Sequence, residues 1–207
     1  MIARLLLKKE NNQLECFLVG MAALIPDFDM IIGLFIPFEH GVFSHTIIGG
    51  LIFTLGYALI IWIIGRNFLK EIDINFQILF ILAAIGMFSH LLLDAFTFYY
   101  SFESDATHHM FFWPFWNFPI HINTLFSGAT YELRVLVEVL FSLFLGIIIL
   151  IYGWMIRKEN PFQMFSPKHW STHIKDSEQI DDITTPMYSL WFFNMFLLFL
   201  IILNMII

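Results

Sequence analysis

The sequence predicts an all-α, polytopic integral membrane protein of about five transmembrane helices, and three observations carry that prediction. Hydrophobic residues make up 59% of the 207 residues, and mean hydropathy is +0.78. Charged residues reach only 13%, against about a quarter in soluble domains. Four segments, residues 45–64, 76–98, 133–156 and 188–207, each supply the roughly 20 mostly apolar residues that a spanning helix needs.

The elements follow in chain order. Residues 1–10 do not read as a cleavable signal, because Lys8, Lys9 and Glu10 follow the short apolar run instead of preceding it. Residues 14–25 form a fifth, weaker candidate span that stops at Pro26. Proline disfavours helical geometry at the preceding residue and cannot donate a backbone hydrogen bond. A short or broken first span is therefore expected, with apolar character resuming over residues 30–38. A brief polar connection, 66–75, joins the next two spans. A long aromatic one, 99–132, follows them, and a hydrophilic loop, 158–185, precedes the last span. The whole chain, 1–207, reads as a single membrane domain, with the site-bearing core over about 14–138. A single cysteine, Cys16, excludes an intramolecular disulfide and a Cys-based metal knuckle.

Charge orients the chain. Nine of the ten Lys and Arg residues fall before the first span, after the second or after the fourth, and only Arg134 lies on the opposite side. The positive-inside bias places the basic side in the cytoplasm of an inner or plasma membrane, with the amino terminus in and the carboxyl terminus out. The outward side then collects Asp27, Asp29, Glu39, His40, His45, His90, Asp94, Glu103, Asp105, His108, His109, His121, Glu132 and Glu138. Such a surface attracts divalent cations. A net charge of −7 offers no footprint for nucleic acid, and none is expected as a partner.

Within that collection, His90 and Asp94 are four residues apart, which on a helix puts both on one face. An Asp among apolar residues of a span costs about 2.5–3.5 kcal/mol at mid-membrane and less near the interface, so it calls for a partner. A metal shared with His90 is one such partner, and a hydrogen-bonded pair locking two helices is the other. Asp27 and Asp29, in the turn after Pro26, can both face one cation, as carboxylates do for hard or borderline metals. They can equally be an ordinary polar helix end. His40 and His45 lead into the second span, where Ser44 is a plausible N-cap. A histidine at a helix amino terminus is disfavoured in its charged form, which leaves a neutral imidazole for a metal. The run Phe111 to Trp116 reads mostly as an interfacial aromatic belt.

The motifs Ile25-Pro26-Asp27-Phe28-Asp29, His40-Gly41-Val42-Phe43-Ser44-His45-Thr46, Gly86-Met87-Phe88-Ser89-His90-Leu91-Leu92-Leu93-Asp94 and Trp113-Pro114-Phe115 occur in that order. Together they resemble the YdjM-like, LexA-regulated inner-membrane family, whose members are described as membrane-bound metal-dependent hydrolases. The resemblance implies a metal site carried by Asp27, Asp29, His40, His45, His90 and Asp94. Glu132 is a possible partner and a candidate general base, and His40 is a candidate proton donor. Three positions depart from the family pattern. No His precedes the first motif, Gly41 stands where Arg is frequent, and Phe98 follows Thr97 where Pro is usual. The order of acids and histidines also resembles, more distantly, zinc-dependent phospholipases C.

The expected function is metal-dependent hydrolysis, with zinc as the leading ion and manganese as the alternative. A membrane lipid or another small ester or phosphoester is the expected substrate at the outer interface. The competing expectation is a non-enzymatic protein that binds or transports divalent metal ions, since intramembrane acids and histidines also line ion paths.

Overall fold

The structure, a computed structural model, describes residues 13–37, 40–68, 75–95, 111–116, 130–156, 158, 160–170 and 180–206. The first helix, α1, spans Gln13–Ala22. Its Leu14, Phe17, Leu18 and Met21 recur at helical spacing and are all buried. Ten residues rise only about 15 Å, half the hydrocarbon thickness of a bilayer. The expected break is present, and it comes early. Leu24 and Ile25 already donate to the carbonyls of Met21 and Ala22, three residues back, so the chain tightens before Pro26. It restarts as a six-residue helix, α2, Phe28–Gly33.

The third helix, α3, is Ile47–Phe68. Its amino terminus is capped by Thr46, whose Oγ1 accepts from Gly49 N–H at 2.9 Å. Ser44, the residue expected to cap it, is engaged elsewhere. The N–H of Ile47 is taken by the carbonyl of Phe111 at 2.8 Å, so the aromatic run helps to close this helix end. Phe115 and Trp116 of the same run remain exposed, as an interfacial belt requires. The next helix, α4, is Phe76–Asp94, with Asn75 accepting from the N–H groups of Gln77 and Ile78.

Packing sets where the helix ends meet. Helix α4 lies against both α1 and α3. Gly86 allows the first contact, because a Cβ there would stand 2.5 Å from the carbonyl oxygen of Val19 and 3.1 Å from Ala22 Cβ. His90 is one helical turn further along α4. The close approach at Gly86 therefore brings the turn after α1, with Asp27, up to His90.

Two more helices complete the described chain. Helix α5, Tyr131–Ile151, is capped by Thr130 and continues into a π-helical turn, Tyr152–Ile156. Helix α6, Ile180–Ile206, packs against α2. A buried hydrogen bond from Tyr57 Oη to Asn194 Oδ1, 2.9 Å, ties α3 to α6. Between α5 and α6 the short 3-10 helices Pro161–Phe165 and Pro167–His169 fold back on α1 and α6. Trp170, within the segment expected to be a hydrophilic loop, is fully buried against the Phe17 ring, 4.6 Å between centroids. Its indole N–H finds the carbonyl of Met164.

Three helices are long and apolar enough to cross a membrane: Ile47–Asn67, Phe76–Asp94 and Val135–Met155. Gln13–Ala22 and Met187–Leu203 are shorter apolar helices. The architecture is all-helical among the described residues and is that of a polytopic membrane protein. Helix α5 stands apart. Among the described residues of Tyr131–Ile151 none is buried, and its extensive packing is with its own π-helical continuation.

Candidate metal centre

Three chain ends meet at one place: the turn after α1, the segment entering α3, and the carboxyl end of α4. Each delivers a group that can bind a metal. Asp27, His45 and His90 offer ligand atoms that all lie within 4.8 Å of one another. His45 Nε2 is 3.6 Å from Asp27 Oδ1 and 3.5 Å from Asp94 Oδ2. His90 Nε2 is 3.7 Å from Asp27 Oδ1 and 3.2 Å from Asp94 Oδ2. Metal–ligand bonds of about 2.0–2.2 Å in a tetrahedron set ligand-to-ligand edges of about 3.3–3.6 Å. The four histidine-to-carboxylate separations are thus close to that spacing. The donor set, two imidazoles and two carboxylates, suits zinc and its borderline neighbours.

Electrostatics asks for a cation at the same point. Asp94 is the last residue of α4, at the negative end of the helix dipole, where a carboxylate is unfavourable. Asp27 brings a second carboxylate to the same pair of imidazoles. A divalent ion answers both charges.

Asp29 is placed differently from the other carboxylates. Its side chain is 0% exposed, and both oxygens are engaged by the protein. Oδ1 receives His40 Nδ1 at 2.8 Å. Oδ2 accepts from the Gly41 N–H at 2.9 Å and from the Ser44 hydroxyl. Gly41 has φ +82°, a left-handed conformation that glycine adopts without a Cβ penalty, and this turns its N–H onto Asp29. Gly41 is thus part of a carboxylate-binding turn. Burial acts to raise the Asp29 pKa, but the bonds from His40, Ser44 and Gly41 prevail and hold it below the ordinary carboxylate range. Burial likewise acts to lower His40. Its bond to Asp29, together with the Asp29, Asp27 and Asp94 charges, prevails and holds His40 above the ordinary imidazole range.

The same network fixes a tautomer. Ser44 has one hydroxyl proton, and Asp29 Oδ2 takes it. The 3.1 Å contact between Ser44 Oγ and His45 Nδ1 must then carry a proton from the histidine. A neutral His45 therefore keeps its lone pair on Nε2, the nitrogen facing Asp27 and Asp94. Metal-binding histidines are commonly oriented this way, through the nitrogen that does not bind.

Of the residues expected at the site, Asp27, Asp29, His40, His45, His90 and Asp94 are brought together. The grouping has two parts, with Asp29, His40 and His45 as a second set around the shared His45. Glu132 does not join them. It is exposed in the first turn of α5, and the groups acting on it are its own backbone and Thr130. The expectation that Glu132 lies beside the cluster assumed that α5 packs against the other spans. Among the described residues it does not pack there extensively. Glu39, Glu103, Asp105, His108, His109, His121 and the Glu138 side chain lie outside the described residues. Ser44 and Gly41 were not singled out as partners of Asp29. The only local sign was a glycine inside a motif of bulky residues.

Membrane-crossing helices whose ends converge on an Asp/His cluster define a polytopic membrane protein with residue groups able to hold a metal ion. The chain matches the family model described as YdjM inner membrane protein over residues 1–161, and it belongs to that family. Membership and the apolar helices place it in a membrane. Neither a search of curated proteins nor a search of solved structures gave a match.

Proposed function

We propose that this protein is a metal-dependent hydrolase acting on an ester or phosphoester, a membrane lipid being the leading class. The observation that carries the reading is the convergence of Asp27, His45 and His90, with Asp94 Oδ2 close to both imidazoles, beside a histidine held by a buried carboxylate. When bound there, a divalent ion such as zinc or manganese supplies Lewis acidity and a more acidic water.

The remaining chemistry belongs to the chain. Asp29 accepts the Nδ1 proton of His40, so Nε2 is the nitrogen that exchanges a proton with the reacting groups. His40 takes a proton from the attacking water and returns it to the leaving oxygen. Asp29 stabilises the imidazolium in between, as a buried carboxylate does for a general-base histidine. His40 is 36% exposed in its side chain, enough for water and substrate to reach it. Asp29 positions His40 and, through Ser44, His45.

The test presents the purified protein, with zinc or manganese added, to phospholipids, soluble phosphodiesters and carboxylic esters. Metal-dependent turnover of at least one class is expected. A metal-loaded protein that stays inert across the panel favours a metal-binding or transporting protein instead. The site is further proposed to face outward. A reporter fused after Lys70 or near Lys168 should then read as cytoplasmic, and one near Ser104 as external. The reverse pattern overturns the orientation and leaves the cluster intact.

A further inference from the structure

Further along α3 from the polar cluster, a cavity of about 290 Å³ opens between α2, α3 and α6. Phe28 and Ile31 of α2, Ile52, Gly56 and Ile60 of α3, and Phe193 of α6 line it. The one hydroxyl among its described lining residues, on Tyr57, is spent on Asn194. Nothing polar in these side chains is left for a ligand, so the complement is hydrocarbon. From Ile52 to Ile60 the groove follows α3 for about 12 Å. It lies within the membrane-crossing stretch Ile47–Asn67.

Two further observations make this more than a gap between helices. The groove and the metal centre share a chain segment, because Phe28 lines the groove and stands between Asp27 and Asp29. One lining position, Gly56, also carries no side chain. A Cβ on Gly56 would meet nothing within 4 Å. Glycine weakens a helix interior, and at this position it leaves room that any larger residue would occupy. In a bilayer an apolar concavity fills with a chain, since an empty one forfeits dispersion contacts on its walls.

We propose that the groove holds a hydrocarbon chain of an amphiphilic substrate whose ester or phosphoester group lies at Asp27, His45, His90 and Asp94. Gly56 sets the room for that chain. This rests on the hydrolase reading, and it narrows the substrate class to lipids over soluble esters.

The experiment uses the full chain in vesicles containing phosphatidylglycerol with a diazirine in one acyl chain. After photolysis, label is expected on the α3 stretch from Ile52 to Ile60 and on the α6 peptide bearing Phe193. Gly56→Phe should lower that label about tenfold, the order of penalty for forcing a chain into filled space. Gly146→Phe is the matched control, because a Cβ on that α5 glycine also meets nothing within 4 Å, and groove labelling should not change. Mapping on the parent protein needs no variant, and Gly56→Leu serves if the Phe variant folds poorly. Label spread evenly over all apolar helices, or unmoved by filling position 56, overturns the proposal. Metal-dependent hydrolysis across a panel of phospholipids in detergent micelles by the parent reports on the hydrolase reading separately. An active parent with an unlabelled groove sinks only the chain site. A labelled, Gly56-sensitive groove in an inert protein sinks the hydrolase reading and with it the substrate role of the bound lipid.

Discussion

Replacing His40 with Gln is expected to lower turnover by about 10²–10⁴-fold, the range for losing a general base, while metal content stays at the parent level. The separation follows from geometry. His40 gives its Nδ1 proton to Asp29, whereas Asp27, His45, His90 and Asp94 face one another. Removing an imidazole that moves protons leaves the ligand atoms in place. Glu132→Gln provides the contrast in the same assay. An exposed carboxylate in the first turn of α5, with no described tie to the cluster, should be replaceable without loss of rate. If Glu132→Gln is instead as slow as His40→Gln, the base is Glu132 and α5 closes on the site during turnover. If His40→Gln also empties the metal, His40 is a ligand.

Asp94→Ala and His90→Ala are expected to lose both metal and activity. Each removes one of four donors, and the loss of a direct ligand should exceed the ~10–100-fold affinity cost of removing a group that only orients one. Asp29→Asn is the informative companion. Asp29 is satisfied by His40, Gly41 and Ser44, so its substitution should weaken metal binding only within that ~10–100-fold range, through the Ser44–His45 contact. Metal loss in Asp29→Asn as complete as in Asp94→Ala would make Asp29 a ligand, as the motif alone suggested. Metal retention in Asp94→Ala at the parent level would strike Asp94 from the set.

The spans and the cluster were legible in the sequence for different reasons. Runs of apolar residues fix spans directly, because a bilayer leaves the backbone little choice but helix. The span expected over 45–64 is accordingly seen as Ile47–Phe68, shifted by a few residues, and that expected from residue 76 begins at Phe76. The longer reach of α3 includes Arg66, which the hydropathy pattern excluded. Its guanidinium lies 5.3 Å from the Trp62 ring centre, so the charge is accommodated at the helix end. Convergence of Asp27, His45, His90 and Asp94 was readable because successive antiparallel spans return their ends to one side.

What was not readable depends on contacts between distant residues. The division of labour between Asp27 and Asp29 cannot be seen in Pro26-Asp27-Phe28-Asp29. It arises when Gly41 and Ser44, more than ten residues on, deliver their protons to one carboxylate and leave the other facing the imidazoles. Glu132 shows the converse. Hydropathy says that α5 crosses the membrane, but nothing in its pattern says which helix it touches. Trp170 was hidden inside a hydrophilic stretch, and its burial against Phe17 is a tertiary choice that local composition does not encode.

Elemental analysis of the purified, exhaustively washed parent protein tests the central claim most directly. The account predicts about one tightly held divalent ion per chain, zinc or manganese, as expected for one cluster of convergent histidine and carboxylate donors. Protein that holds no divalent metal, and takes up none when incubated with zinc or manganese at neutral pH, would contradict it. The cluster would then be a hydrogen-bonded lock between α1, α3 and α4.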